Sequence, residues 1–399
     1  MLPETLSDPY SVLEAQARAK LPNAVFDYAT GAAGDETTMR RNVEALDAVT
    51  FVPRVLHDVS TVDTTTDVIG GPLAAPLLVA PMGMQGLYDD GAERAMADAA
   101  ADLGVGFCLS MFGTRSAGEI TANATAAVRW RQVYLTRDPG LTAALANAAH
   151  AAHFQALVVT VDLPATATRR RDSTGAFETF DNPVAAAAAP ALVREPYFLQ
   201  QLDRRRQDRP GTTAQQLIDA LFPNPSATWT DLADLVRRSP LPVIVKGVLH
   251  PADARRAVDC GAAAVIVSNH GGSQLDRCVA TAEALPAVVA GVGEAVPVYV
   301  DSGVRRGNHV AVALALGASA VLVARPALWG LATGGREGAR AVLAGLLEEL
   351  RRTMVMLGVP TSARLRDVPL RSLPRLDQER PATGRHLERP ARKPPGKWR

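Results

Sequence analysis

The sequence has only three cysteines in 399 residues, Cys108, Cys260 and Cys278, widely spaced and without a Cys-x-x-Cys pair. That spacing excludes a disulfide framework and offers no zinc site, so no metal is expected and a reducing cytoplasm is the expected location. Charge of one sign is also missing. Lysine plus arginine number 42 against 41 acidic residues, a formal net charge of +1, which removes the electrostatic footprint of a nucleic-acid binder. Long hydrophobic runs are absent as well. The most apolar stretch, Val184 to Val193, is interrupted by Pro190, and a membrane-spanning helix needs roughly 20 apolar residues. No signal peptide is read at the start of the chain, and no membrane association is expected. There is no Gly-x-Gly-x-x-Gly fingerprint, so a Rossmann-type dinucleotide site is not expected. Alanine and arginine are plentiful, the composition of a bacterial gene of high GC content.

What is present is a rhythm of eight short apolar runs, each followed by a helix-like segment: Leu77 to Ala80, Gly106 to Leu109, Val128 to Val133, Leu157 to Val161, Val243 to Val245, Ala264 to Val267, Val298 to Val300 and Ala320 to Val323. Parallel strands buried on both faces read as continuous Val/Ile/Leu runs, and eight strand–helix units are the pattern of a (β/α)8 TIM barrel. The residues closing these runs are Pro81-Met82-Gly83, Ser110, Tyr134, Asp162, Lys246, His270, Asp301 and Arg325. In a barrel they share one face, the one that carries chemistry. His270 follows the sixth run inside Ser268-Asn269-His270-Gly271-Gly272-Ser273-Gln274-Leu275-Asp276. A histidine at a strand lip is placed to exchange protons with a bound substrate, and two glycines beside it let backbone approach a ligand.

Three regions lie outside the repeat. Residues 1–76 read as an N-terminal helical extension packed on the barrel, with a break at Leu21-Pro22. The barrel is expected over residues 77–370, with a long insertion after strand four at 173–228, rich in Ala, Pro and Arg, which reads as a lid or insertion loop. Residues 371–399, rich in Pro and Arg, read as a basic disordered tail.

Taken in order, Phe26-Asp27-Tyr28, Ala80-Pro81-Met82-Gly83, Gln132-Val133-Tyr134, Thr160-Val161-Asp162, Val245-Lys246-Gly247-Val248, Ser268 to Asp276, Asp301-Ser302-Gly303-Val304-Arg305-Arg306-Gly307 and Ala324-Arg325-Pro326 resemble the FMN-dependent α-hydroxy acid oxidases and dehydrogenases, the group of glycolate oxidase, lactate oxidase and mandelate dehydrogenase. The likeness runs from Leu21 to about Gly358 and implies FMN as cofactor. A phosphomonoester calls for backbone N–H groups and guanidinium donors, supplied after strands seven and eight by Gly303, Arg305 and Arg325, with Asp301 and Ala324 beside them. The resemblance gives Lys246 the charge that develops on the reduced ring, Gln132 and Thr160 its edge, and Ser110 with Pro81, Met82 and Gly83 its other side. It makes His270 the base, Asp162 the carboxylate that steadies the histidinium, and Tyr134 a hydrogen-bond partner of the substrate oxygen. Tyr28, Arg169, Phe112 and Ser273 fall on the substrate side. The partner implied is a small molecule, and the family's habit implies a homo-oligomer, a tetramer.

The departures bear on the substrate. Where the family has an arginine that grips the substrate carboxylate this chain has Ser273, and Arg170 stands where an acidic residue usually follows Arg169. Ala324 replaces a common glycine, and Met82 a small polar residue. Three readings stay open. The first is oxidation of a free 2-hydroxy acid to the 2-oxo acid, with Arg169 or Arg170 standing in for the missing guanidinium. The second applies the same flavin chemistry to an α-hydroxy or α-amino amide, ester or carrier-bound acid. The third is a non-catalytic flavin-binding protein, against which Tyr134, Asp162, Lys246 and His270 speak together.

Overall fold

Each apolar run becomes a strand of one closed parallel barrel: β1 Leu77–Val79, β2 Gly106–Leu109, β3 Arg129–Tyr134, β4 Ala156–Thr160, β5 Val243–Val248, β6 Ala264–Val267, β7 Val298–Val300 and β8 Ala320–Val323. The computed structural model describes residues 9–122, 128–171 and 189–372. Every strand pairs with its neighbour in sequence, and β8 closes on β1 through Leu322 opposite Leu78. β2, β6, β7 and β8 have the limits expected from the sequence, β1, β3 and β4 shift by a residue, and β5 runs on to Val248 through a bulge between Lys246 and Val248. Gly247 sits in that bulge at φ 107, where a Cβ would lie 2.7 Å from the side chain of Asp162. Only glycine supplies both the backbone angle and the room.

Alternation along the strands divides the core in two. Leu78, Cys108, Trp130, Val158, Ile244, Ile266, Tyr299 and Leu322 fill the barrel interior, while their neighbours pack outward against the helices. The barrel floor is sealed by the hairpin of Thr66–Val68 and Gly71–Leu73. Trp130 Nε1 donates to the Ile69 carbonyl at 2.8 Å, and Ile69 N donates to the Tyr299 hydroxyl at 3.1 Å.

The N-terminal residues form helices Pro9–Lys20, Asn23–Thr30 and Thr37–Asp47, which reach the opposite, C-terminal mouth of the barrel. The carboxylate of Asp276 accepts from Asp35 N at 2.8 Å and Thr38 N at 2.9 Å, and the buried amides of Asn42 and Asn269 exchange two hydrogen bonds, at 2.8 and 2.7 Å. Gly272, at φ 80, would drive a Cβ to 2.6 Å from Met39 N, so this docking depends on its bare backbone.

The described part of the region after β4 is helical rather than a loop. It holds Pro196–Asp208, Ala214–Leu221 and Trp229–Arg238. Local signals account for two of these: Pro196 occupies a first-turn position, and Thr213 caps the second helix in a reciprocal box with Gln216. Residues 173–188 of the expected insertion loop, and the expected basic tail from 373 onward, lie outside the described residues. No helix among the described residues is long and apolar enough to cross a membrane.

Candidate active site

At the C-terminal mouth of the barrel lies a cavity of about 740 Å³, within the usual range for a ligand or cofactor site. It gathers Tyr28, Pro81, Met82, Gly83, Ser110, Phe112, Gln132, Tyr134, Thr160, Arg169, Lys246, His270, Ser273, Asp301, Gly303, Arg305, Ala324 and Arg325, which is every residue singled out in the sequence apart from Asp162 and Arg170.

Asp162 stands behind the wall. Its Oδ1 lies 3.0 Å from His270 Nδ1, which leaves Nε2 as the ring nitrogen available to the cavity. Burial pushes the Asp162 carboxyl up, but His270, by charge and by hydrogen bond, together with Lys246 holds it below the ordinary carboxylate value. The other oxygen, Oδ2, is buried and has no hydrogen-bond partner. His270 itself has φ 58, a left-handed conformation uncommon outside glycine and frequent at functional sites. Its backbone N–H donates to Ser268 Oγ at 3.1 Å, and the same hydroxyl accepts from Lys246 Nζ at 2.8 Å. Histidine and lysine are thus set by one serine.

Lys246 is 3% exposed and pairs with Asp301 at 2.9 Å. Burial would lower its pKa, and the facing carboxylates of Asp301 and Asp162 reverse that and raise it, so a fixed positive charge sits under the cavity. On the adjoining side Gln132 accepts from Met111 N at 3.0 Å and donates to Thr160 Oγ1 at 3.1 Å. Tyr134 remains a neutral phenol, since burial, Asp162 and Tyr28 all raise its pKa. It is therefore a hydrogen-bond donor at any ordinary pH.

The far end is built for an anion. Arg325 opens the helix after β8, donating to Ala29 O at 3.0 Å and Gly271 O at 3.3 Å, and Arg305 stacks on the Tyr10 ring at 4.7 Å. Among the described residues neither guanidinium is salt-bridged to a carboxylate. Burial, with the neighbouring charge of Arg305, lowers the Arg325 pKa to about 10. A group carrying negative charge relieves that repulsion, and a helix N-terminus beside two guanidiniums is suited to phosphate. Ala324 does not need the positive φ that favours glycine, since its φ is −118.

The substrate side differs from expectation at one residue. Arg169 lines the cavity, its Nε donating to Ser273 O at 3.2 Å and its guanidinium 5.9 Å from the centre of the Tyr28 ring. Arg170 does not line it. It is largely exposed and ion-paired with Asp35, so the reading in which it grips a carboxylate is withdrawn. Ser273 turns its hydroxyl back to the His270 carbonyl at 2.6 Å. Residues not singled out in the sequence also line the cavity: Tyr88, Leu163, Ser302, and Gln215, Ile218, Asp219 and Phe222 of the region after β4. Gln215, Ile218 and Asp219 recur at i, i+3 and i+4 on the helix Ala214–Leu221, and Phe222 follows its end in extended backbone.

A (β/α)8 barrel whose mouth joins a phosphate-type anion site, a buried lysine and a histidine–aspartate pair defines an enzyme with a phosphorylated cofactor. The chain belongs to the FMN-dependent dehydrogenase family, whose sequence pattern it matches over residues 17–371. It is 40% identical over 358 residues to an L-lactate oxidase of Nostoc sp., covering 88% of this chain and 95% of that protein. It is 38% identical over 347 residues to a 4-hydroxymandelate oxidase of Amycolatopsis orientalis, covering 87% and 93%. The solved structure of a mandelate oxidase with benzoyl-formic acid superposes with a TM-score of 0.78 at 36% identity, covering 91% of this chain and 98% of that one. The cofactor is FMN, and the donor set described above fits it: cations and a helix N-terminus for the phosphate, Lys246, Gln132 and Thr160 for the ring.

Proposed function

We propose that this enzyme oxidises the α-carbon of a 2-hydroxy acid, or a close derivative, to the 2-oxo product. FMN, when bound, supplies the acceptor for the two electrons that leave the substrate. The chain's own residues handle the proton and the charge. His270 takes the proton of the substrate hydroxyl on Nε2, and Asp162, held anionic, steadies the imidazolium that results. Tyr134 donates to the substrate oxygen, Lys246 carries a fixed positive charge beneath, and Arg169 with Tyr28 receives the carboxyl end. The observation that carries this reading is the His270–Asp162 pair at 3.0 Å beside a buried lysine, since a flavin-binding protein without catalysis has no use for a base and its carboxylate.

A second reading is favoured by Ser273. With a serine in place of one of the family's two pocket arginines, an amide, ester or carrier-bound acid needs no second cation, and a charge-assisted pair worth about 1.5–3 kcal/mol is not lost. The deciding experiment is anaerobic mixing of the holoenzyme with free 2-hydroxy acids, amino acids and their amides while the oxidised flavin absorbance is followed. Bleaching by hydroxy acids or their derivatives is the expected result; no bleaching by any of them defeats the proposal. The three free thiols support placement in the cytoplasm, of a bacterium by composition, and family habit supports a homo-oligomer.

A further inference from the structure

The loop after β7 carries Arg305, one of the two guanidiniums of the anion end, and three contacts hold that loop. Gly303, at φ 85, lies so close to the Asn42 carbonyl that a Cβ would strike it. Gly307 N–H donates to Glu349 Oε2 at 2.7 Å where the helix Gly307–Ala315 begins. Between these two points the Arg305 N–H donates at 3.3 Å to Nδ1 of His309, in the first turn of the same helix. His309 is buried, and its Nε2 lies 2.8 Å from Oδ1 of Asp47, the last residue of the helix Thr37–Asp47. A backbone N–H can only donate, so Nδ1 is the acceptor and the imidazole proton sits on Nε2, directed at the carboxylate. Burial lowers the His309 pKa, Asp47 opposes it, and the charges of Arg306 and Arg305 add to the lowering. The net value is below the ordinary one, so the ring is neutral near pH 7 and Nδ1 keeps its lone pair.

Arg305 needs such a hold. It lines the main cavity and also a neighbouring one of about 530 Å³, so packing alone does not fix its side chain. Apart from the Tyr10 ring, its guanidinium is steadied by the Val304 carbonyl, to which Nη1 donates at 3.0 Å. That carbonyl and the N–H taken by His309 belong to one peptide unit, which is planar and rigid. Fixing its N–H therefore fixes the carbonyl on which the guanidinium rests. We propose that His309, oriented by Asp47, is a positioning residue for the cofactor phosphate: it sets the Val304–Arg305 peptide, and through it the place of the Arg305 guanidinium. This rests on the reading that the phosphate lies at Arg305 and Arg325.

Riboflavin, which has the ring and ribityl chain of FMN but no phosphate, isolates the effect. Full-length protein freed of flavin is brought to equilibrium with FMN or with riboflavin by dialysis, and the ratio of the two Kd values reads the phosphate's share alone. His309→Leu keeps the bulk and removes the acceptor. It is expected to lower the preference for FMN over riboflavin by about five- to tenfold, the scale of one well-made hydrogen bond, with riboflavin binding unaltered. His309→Asn, whose Oδ1 can stand where Nδ1 stood, should restore most of the preference. A histidine that served the fold alone would weaken both flavins by one factor, and that result, an unaltered ratio in His309→Leu, or the same loss in the asparagine variant overturns the proposal. If leucine at this position prevents folding, Asp47→Ala carries the test, since that side chain is half-exposed. It is expected to lower the ratio by about twofold or more, and an unaltered ratio overturns the orienting role. Arg305→Ala separates the proposal from the reading beneath it. If that variant keeps the full preference for FMN, the phosphate lies elsewhere; if it loses the preference while His309→Leu keeps it, only the positioning role fails.

Discussion

His270 is held by three contacts of different kinds: a carboxylate on Nδ1, a serine hydroxyl on its backbone N–H, and a left-handed backbone that re-aims the ring toward the cavity. Removing the ring should leave the cofactor bound and remove only the proton acceptor. His270→Ala is expected to keep its flavin spectrum and slow substrate-driven reduction by roughly 10²- to 10⁴-fold; an unaltered rate would place the base elsewhere. Asp162→Asn keeps the shape but not the charge, and is expected to slow reduction by at least about tenfold, with no loss of flavin. Ser273→Arg tests the carboxyl question. If the substrate is masked, an added guanidinium should raise kcat/KM for a free acid by about tenfold and impair the amide; if Arg169 already holds a carboxylate, Arg169→Ala should abolish free-acid turnover and Ser273→Arg should give no gain. His270, Asp162 and Ser273 could be picked out by position, because each closes an apolar run or sits in a segment with family likeness, whereas Arg169 does neither and follows from the resemblance alone. Between Arg169 and Arg170 the sequence leaves the choice open, because adjacency does not say which of two neighbouring side chains turns inward; Asp35, over a hundred positions away, claims Arg170.

At the scale of elements, the catalytic loop and the N-terminal helices are one assembly. Asp276 gathers backbone N–H groups from Asp35, Thr38 and Arg277, and although burial opposes them they hold its carboxyl at about 2. Its folded value is thus below the unfolded one of about 3.9, so its contribution to stability is complete above that value and fades as pH falls toward 2. The docked segment around Thr37–Asp47 is therefore expected to release between about pH 4 and 2, read as a gain of pepsin cleavage there. Asp276→Ala should show the same susceptibility already at neutral pH, read there with thermolysin in place of pepsin; equal protection in both proteins would show that the carboxylate does not secure the segment. The barrel strands were legible as Val/Ile/Leu runs because a strand buried on both faces has no polar alternation to obscure it. The helix Ala214–Leu221 was not. Its capping residues Thr213 and Gln216 are local and readable, but it sits in a long stretch of Ala, Pro and Arg that reads as a loop. The pairing of Asn42 with Asn269 leaves no local pattern at all, since the partners stand 227 positions apart.

For the whole molecule, the cofactor is a structural member as well as a reagent. The anion end brings the charges of Arg305 and Arg325 close together, a repulsion that a bound phosphate relieves. Ligand binding to the folded state alone contributes about 2.7 kcal/mol at a hundredfold excess over Kd. Stripping FMN is expected to lower the thermal midpoint on the order of 5 °C, with recovery on adding FMN back. Arg325→Ala should weaken FMN retention and shrink that recovery, measured as flavin released on gel filtration; undiminished retention would move the phosphate site away from Arg325.

The reciprocal amides of Asn42 and Asn269 also set an order of events during synthesis. The residues that complete the site from the N-terminal side, Tyr28 and the helix Thr37–Asp47, leave the ribosome first, but the surfaces they dock on are made more than two hundred residues later. Barrel closure has the same shape, because β1 waits for β8. Long-range contacts of this kind form late and slowly. The nascent chain therefore carries its first helices with their docking faces uncovered until nearly the whole barrel has been translated, and the finished pocket for FMN is among the last features to exist.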